Sequence, residues 1–162
     1  MAHMPGPTEP GRSIPDFSLP ASTGQTLGLE SFRGKTPLAI FFLPGIQSET
    51  DLALLRRYDS HLADFGSQRA QVLGVVMERA RTVRDLADSM DLHLPVLADA
   101  SGSMVRDFGV DEQDGRPRYA LIVSDKEGNL ARRFDPAPLE GQVEAALAAI
   151  RALGSETLES TE

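Results

Sequence analysis

The sequence predicts one α/β domain, a sandwich with a central mixed sheet and helices on both faces. Three observations predict it. Short apolar runs bounded by Pro and Gly have the length of buried strands. Between them lie segments whose apolar residues recur at spacings of three and four, as on one face of a helix. The chain of 162 residues also has the size of a single domain.

The strands are predicted from five runs. Residues 37–43, 71–77 and 119–124 are almost continuously apolar, which is typical of strands buried on both faces. Residues 95–98 form a shorter extended piece, and residues 130–134 follow a turn at Gly128. Residues 119–124 and 130–134 therefore predict an antiparallel hairpin, because a short turn joins them.

The helices are predicted from periodicity and from their end signals. Apolar residues follow the helical spacing in residues 52–65, 83–90, 102–108 and 139–150. Gly66 is predicted to end the first of these helices and Gly154 the last. The order is then strand, helix, strand, two helices, hairpin and helix, in which a helix crossover makes the first two long strands parallel.

The two ends differ in composition from the middle. Residues 1–11 are rich in Pro and Gly and are predicted to be a disordered leader. Residues 154–162 are polar and acidic and are predicted to be a disordered tail. The folded domain is therefore expected to span residues 12–153.

Charge and residue counts exclude several functions. The net charge of −8 argues against binding to nucleic acid or to an anionic membrane. No apolar run is long enough to cross a bilayer and the first residues lack a secretory signal, so we expect a cytoplasmic protein. The chain has no cysteine, which excludes thiol chemistry and disulfides. His61 and His93 have no ligand partner at metal-binding spacing, and we expect no metal and no cofactor.

Several segments together resemble a known family. Residues 14–20, 24–35 and 38–44 are similar to the opening of a peroxiredoxin, and residues 94–99 and 118–123 continue the similarity. The family is that of alkyl hydroperoxide reductase and thiol-specific antioxidant, and its bacterioferritin-comigratory branch is the most similar. The resemblance covers about residues 12–152 and implies a thioredoxin-like fold. In active members it implies antioxidant oxidoreductase activity, the reduction of hydroperoxides by a cysteine thiolate, and it makes a homodimer an expectation.

The resemblance also implies four positions for the active site. The family motif Pro-x-x-x-Thr/Ser-x-x-Cys corresponds here to Pro44, Ser48 and Asp51, so an aspartate takes the place of the reactive cysteine. The family's active-site arginine corresponds to Arg118, and we expect its guanidinium to pair with Asp51. The same resemblance makes a cis peptide bond before Pro117 an open question, because thioredoxin-fold proteins often carry a cis-proline near the active site.

An aspartate at this position cannot carry out the family's reaction. Peroxide reduction needs a thiolate that becomes a sulfenic acid, whereas a carboxylate has no two-electron redox couple. A structural explanation is available, because Ser48 and Asp51 have the spacing of a helix capping box. We therefore predict that the chain is not a thiol peroxidase. The sequence establishes no catalytic residue.

Three functional alternatives remain open, and the sequence does not decide whether the protein is an enzyme. The first is a module that binds a small polar ligand or a protein partner in the former active-site pocket. The second is an enzyme with non-thiol acid/base chemistry at Asp51, for which the sequence offers no second catalytic group. The third is an engineered Cys-to-Asp form of an active peroxiredoxin.

Overall fold

The computed structural model describes residues 10–160, with side chains described up to residue 154. It contains short and long strands, five α-helices and one 3₁₀ turn at Leu29–Ser31. The strands are β1 (Ser18–Pro20), β2 (Thr26–Gly28), β3 (Leu38–Phe42), β4 (Gln71–Val76), β5 (Val96–Ala98), β6 (Glu112–Gln113), β7 (Arg116–Pro117), β8 (Ala120–Ser124) and β9 (Leu130–Phe134). The helices are α1 (Glu49–Ser60), α2 (Leu62–Ser67), α3 (Ala80–Met90), α4 (Ser103–Asp107) and α5 (Gln142–Ser160).

The central sheet has five strands in the order β5-β4-β3-β8-β9. Strands β3, β4 and β5 are parallel, whereas β8 is antiparallel to β3 and to β9. The mixed sheet and the hairpin predicted from the sequence are therefore confirmed. Two hairpins lie outside this sheet, β1 with β2 and β6 with β7, and neither was predicted.

Both faces of the sheet are covered. Strand β3 is fully buried, and its side chains alternate between two core clusters as strand geometry requires. Ala39 and Phe41 face the cluster that contains residues of α1, α2, α3 and α5. Ile40 and Phe42 face the opposite cluster, which is formed by α4 and the segment before β3. The predicted arrangement of helices on both faces is confirmed.

The position of α1 on the sheet is fixed by aromatic packing. The rings of Phe41 and Tyr58 are stacked with centroids 3.8 Å apart. Gly74 makes room for this stack, because a Cβ there would lie 3.0 Å from Cζ of Phe41. The Tyr58 hydroxyl donates a 2.7 Å hydrogen bond to Oε1 of the buried Gln142, which ties α1 to the start of α5. The last turn of α1, which contains Tyr58, is therefore held against the central strand of the sheet.

The predicted helix over residues 52–65 is two helices in the structure. The break lies at His61, between α1 and α2, and Gly66 lies inside α2 rather than at the helix end. The hydroxyl of Ser60 donates a 2.9 Å hydrogen bond to the carbonyl of Arg57, and Nδ1 of His61 is 2.9 Å from the same oxygen. Such side-chain contacts with a carbonyl of the last turn compete with continued helical bonding.

One further expectation differs from the structure, and the open question of the bond before Pro117 is answered. Gly154 does not end the last helix, which continues to Ser160, so the part of the predicted tail up to that residue is helical. A single glycine costs about 1 kcal/mol in a helix, and no proline follows to stop it. The peptide bond before Pro117 is not cis, since within residues 10–160 the cis bond is that between Asp135 and Pro136. The predicted leader falls largely on residues 1–9, which lie outside the described residues, and the domain bounds stay a prediction.

Within the described part of the chain, none of the helices has the length and apolar character needed to cross a membrane.

Candidate functional site

The first turn of α1 carries two of the predicted site residues. Ser48 is the N-cap of the helix, and its Oγ accepts a 3.1 Å hydrogen bond from the backbone N–H of Asp51. This confirms the predicted cap and places Asp51 at the third helical position, where the helix dipole favours a negative charge. Asp51 is buried, with only 5% of its surface exposed.

The partner of the Asp51 carboxylate is a tyrosine that the sequence analysis did not single out. The hydroxyl of Tyr119 donates a 2.6 Å hydrogen bond to Oδ1 of Asp51. The sheet explains this contact, because Phe42 pairs with Ala120 in the antiparallel ladder. The residue before Ala120 therefore lies beside the segment that connects β3 to α1.

The predicted pair of Asp51 with Arg118 is absent from residues 10–160. Side chains on an extended strand alternate between the two faces. Leu121 packs in the core cluster with α1, and so does Tyr119, whereas Ala120 faces the other cluster. By the same alternation, Arg118 lies on the face away from α1. It is exposed, its backbone N–H donates a 2.8 Å bond to the carbonyl of Asp111, and its guanidinium has no hydrogen bond or ion pair with a described residue. Position 119, not 118, faces residue 51.

A different arginine lies at the mouth of the site. Nη1 of Arg116 donates a 3.1 Å hydrogen bond to the carbonyl of Pro44, and it is also 3.1 Å from Oε2 of Glu78. Arg116 belongs to the β6–β7 hairpin, whose turn residues Asp114 and Gly115 both have positive φ angles. This is the backbone of a tight two-residue hairpin turn, for which the sequence Asp-Gly is typical. The guanidinium therefore fastens the hairpin to the loop that precedes α1.

Two cavities open at this end of the sheet. The first, which we call the aspartate cavity, has a volume of about 240 Å³ and is lined by Pro44, Gly45, Ile46, Gln47, Ser48, Asp51 and Arg116. The second, which we call the hairpin cavity, has a volume of about 290 Å³ and is lined by Pro44, Gln113, Asp114, Arg116, Pro117, Arg118 and Tyr119. The structure therefore brings Pro44, Ser48 and Asp51 together, and it separates Arg118 from Ser48 and Asp51.

The electrostatics of the site keep Tyr119 protonated. Burial raises the pKa of the Tyr119 hydroxyl above its usual range, and the hydrogen bond to the Asp51 carboxylate raises it further. A phenolate beside that carboxylate would lose the hydrogen bond and face a like charge. Tyr119 is consequently a hydrogen-bond donor to Asp51 over the physiological pH range.

The site has no set of metal ligands. In the part of the chain that the structure describes, no three histidine or carboxylate side chains come close enough together to hold a metal ion. His61 is half-buried beside the carbonyl of Arg57, and the exposed His93 lies 3.8 Å from Asp59, both away from this site.

Tyr119 and Arg116 are the site residues that the sequence reasoning missed. The signal for Tyr119 is strand alternation: residues 119, 121 and 123 share one face, and a helix that follows β3 must cover one of the two faces. The sequence alone does not say which face α1 covers. Arg116 has no such signal, because its position depends on the β6–β7 hairpin.

The sheet order, the helix positions and the site at the start of α1 define a thioredoxin-like α/β protein of the peroxiredoxin type. The sequence profile of the AhpC/TSA family matches residues 10–133. The chain therefore belongs to the AhpC/TSA family, as a member that has no cysteine.

Curated relatives are distant in sequence. A putative peroxiredoxin of Mycobacterium tuberculosis, Rv1608c, is 26% identical over 100 residues, which cover 62% of this chain and 65% of that protein. The match thus spans slightly less than two thirds of that relative's length. Peroxiredoxin-2 of Mus musculus is 26% identical over 159 residues, covering 91% of this chain and 80% of the relative.

Solved structures share the fold. The crystal structure of peroxidoxin BcpB from Mycobacterium tuberculosis has a TM-score of 0.80 at 23% identity and covers 89% of this chain and 97% of the other. The bacterioferritin comigratory protein of Xanthomonas campestris has a TM-score of 0.78 at 20% identity, covering 84% and 90%. At these identities the likeness establishes the fold, and the predicted fold class is confirmed.

Proposed function

We propose that this protein is a binding module of the AhpC/TSA family that holds a small polar ligand in the aspartate cavity and does not reduce peroxides. The observation that carries the proposal is the state of Asp51. Its buried carboxylate lines a cavity that opens to solvent, while only one of its two oxygens is engaged by Tyr119.

The free groups in the aspartate cavity suggest the class of ligand. Oδ2 of Asp51 has no hydrogen-bond partner within residues 10–160 and is an acceptor for an amine or a hydroxyl group. Ser48 uses its oxygen as an acceptor for the helix N–H, so its hydroxyl proton remains available. Arg116 adds guanidinium donors that are not used on Pro44 and Glu78. A small amine or polyol satisfies this set of donors and acceptors.

The loss of peroxidase chemistry follows from the residue types. A thiol peroxidase needs a thiolate that forms a sulfenic acid, and this chain has no cysteine. Peroxide consumption with a thiol reductant measures the activity directly. We expect the rate of a buffer control, and turnover clearly above that control would contradict this part of the proposal.

Ligand binding is tested by filling the cavity. The backbone angle of Gly45 is ordinary, and a methyl group there would lie 3.4 Å from Nη1 of Arg116 and 3.8 Å from Oδ2 of Asp51, both of which are tolerable contacts. Gly45→Ala therefore reduces the space without breaking the fold. The matched control is Gly66→Ala in α2, where an added Cβ meets nothing within 4 Å.

The assay is ligand-observed NMR with a panel of small amines and polyols. We expect saturable binding to the native chain and to Gly66→Ala, and weakened binding to Gly45→Ala and to Asp51→Asn. A panel without any binder, or a binder that is indifferent to both Gly45→Ala and Asp51→Asn, would count against the aspartate cavity.

An acid/base enzyme at Asp51 is the second candidate function. It is favoured by one observation: within residues 10–160 no arginine forms an ion pair with Asp51, whose cavity opens to solvent. Tyr119 does not act as a general base, since its raised pKa keeps the proton on the phenol, and its hydroxyl already donates that proton to Asp51 in a hydrogen bond. A ligand from the same panel that is chemically changed on incubation with the native chain, but not with Asp51→Asn, would favour the enzyme over the binding module.

Three further expectations stay proposals. The resemblance supports a homodimer, and Leu139 is an exposed large apolar side chain that such a contact would cover; sedimentation equilibrium measures it. A protein partner would act at the same end of the sheet, and the cytoplasmic location rests on the sequence alone.

A further inference from the structure

The hairpin cavity has a composition unlike that of the aspartate cavity. Neither Ser48 nor Asp51 lines it, and its walls are mostly apolar. We infer that the hairpin cavity binds a small organic monocarboxylate, with the Arg118 guanidinium as the partner of the carboxylate group. This is a second site beyond the proposed function, because its lining and its ligand charge both differ.

A guanidinium without a partner beside the hairpin cavity favours an anion. Arg116 and Arg118 are lining residues of this cavity, together with Asp114. Arg116 is committed to the Pro44 carbonyl and to Glu78, whereas the Arg118 guanidinium has no partner within residues 10–160. A guanidinium offers two parallel N–H donors that match the two oxygens of a carboxylate.

The apolar walls favour an anion that also carries an apolar organic group. Pro44 and Pro117 line the cavity, and Pro117 is buried. Tyr119 lines it too, and its hydroxyl is already used on Asp51, so the side chain offers its ring rather than a polar group. The volume of about 290 Å³ is at the lower end of the range for ligand pockets, which selects a small molecule. A flat monocarboxylate such as benzoate meets these conditions.

The cavity is held in shape before any ligand arrives. The β6–β7 hairpin closes on the tight turn at Asp114 and Gly115. The 2.8 Å bond from the Arg118 N–H to the Asp111 carbonyl fixes the chain at the end of the hairpin. The contact of Arg116 with Pro44 fixes the opposite wall. A preformed cavity lowers the entropic cost of binding a small molecule.

The experiment is a titration of the folded protein with benzoate, followed by calorimetry or by amide NMR shifts. Benzamide, which is neutral and of similar shape, is the ligand control. We expect saturable benzoate binding, at least about tenfold weaker binding of benzamide, and a loss of at least about tenfold in affinity in Arg118→Gln, because a charged hydrogen bond is removed. Arg118→Lys keeps the positive charge but lacks the two parallel N–H donors of a guanidinium, so we expect an intermediate affinity for benzoate.

Matched variants separate this site from general charge effects and from the aspartate cavity. Arg81→Gln removes one positive charge from the exposed surface of α3, and we expect it to leave benzoate binding unchanged. Ser48→Ala alters the aspartate cavity at a residue that does not line the hairpin cavity, and it should also have no effect on benzoate binding. Asp114→Asn removes the opposing carboxylate while asparagine tolerates the positive φ, and we expect it to tighten binding. No benzoate binding at millimolar concentration, or equal affinity in Arg118→Gln, would overturn the inference.

Discussion

Replacing Tyr119 by phenylalanine tests the contact on which the site depends. The change keeps the ring and removes only the hydroxyl that donates the 2.6 Å hydrogen bond to Asp51. Hydrogen bonds to a charged group contribute about 1.5–3 kcal/mol to stability. The aspartate cavity admits water to the carboxylate that is left behind, so we expect a loss near the lower end, about 1.5 kcal/mol. In a domain of this size, that loss lowers Tm by about 3–6 °C.

The assay is urea unfolding of the native chain, of Tyr119→Phe, of Asp51→Ala and of the double variant. The four free energies of unfolding form a double-mutant cycle that isolates the interaction between the two side chains. We expect Tyr119→Phe to destabilise the native chain and to have little effect in the Asp51→Ala background. The same loss in both backgrounds would refute the reasoning, because the hydroxyl would then act through some group other than Asp51.

Three further predictions follow from the same geometry. Burial raises the pKa of Tyr58 and Tyr119, so the folded chain should show no tyrosinate absorbance near pH 10, where the tyrosines of the urea-unfolded chain titrate. Because the folded state keeps these protons, the free energy of unfolding should fall as the pH rises above about 10. Half of the full tyrosinate absorbance at pH 10 in the folded chain would contradict this. Ser48→Ala should lower the free energy of unfolding by about 1 kcal/mol through loss of the helix cap, whereas Ser48→Thr should restore most of it. Peroxide turnover with a thiol reductant should be absent in Asp51→Cys and should appear in Asp51→Cys/Tyr119→Arg, because an arginine beside the thiol favours the thiolate. Asp51→Ser/Tyr119→Arg, which has no thiol, is the control. Equal turnover in the single and double cysteine variants would show that position 119 does not matter.

The central sheet was predictable because its signals are local. Residues 38–42, 71–76 and 120–124 are almost continuously apolar, and their near-complete burial on both faces leaves little choice of structure. The N-cap was predictable for the same reason, since Ser48 and Asp51 are three residues apart on one helix. The break at His61 was not, because it depends on contacts of Ser60 and His61 with one carbonyl oxygen.

The partner of Asp51 was beyond local reasoning, since it depends on the register between β3 and β8. The pairing of Phe42 with Ala120 decides which residue lies beside the loop before α1. A shift of one residue turns a strand's side chains to the opposite face, so an error of one position exchanged Tyr119 for Arg118. The family resemblance supplied an arginine near this place, but only the sheet determines which side chain turns toward α1.

The pairing of Asp51 with Tyr119 has a consequence for what this site does. An anion remains at the first turn of α1, where the helix dipole stabilises it, but its neighbour is a neutral donor instead of a cation. A phenol that holds its proton does not act as a general base, and its hydroxyl already donates to Asp51. What the arrangement does provide is a fixed carboxylate with one oxygen that no described residue engages, at the wall of an open cavity. A carboxylate of this kind is suited to a ligand that donates a hydrogen bond, which is why we propose binding over chemistry.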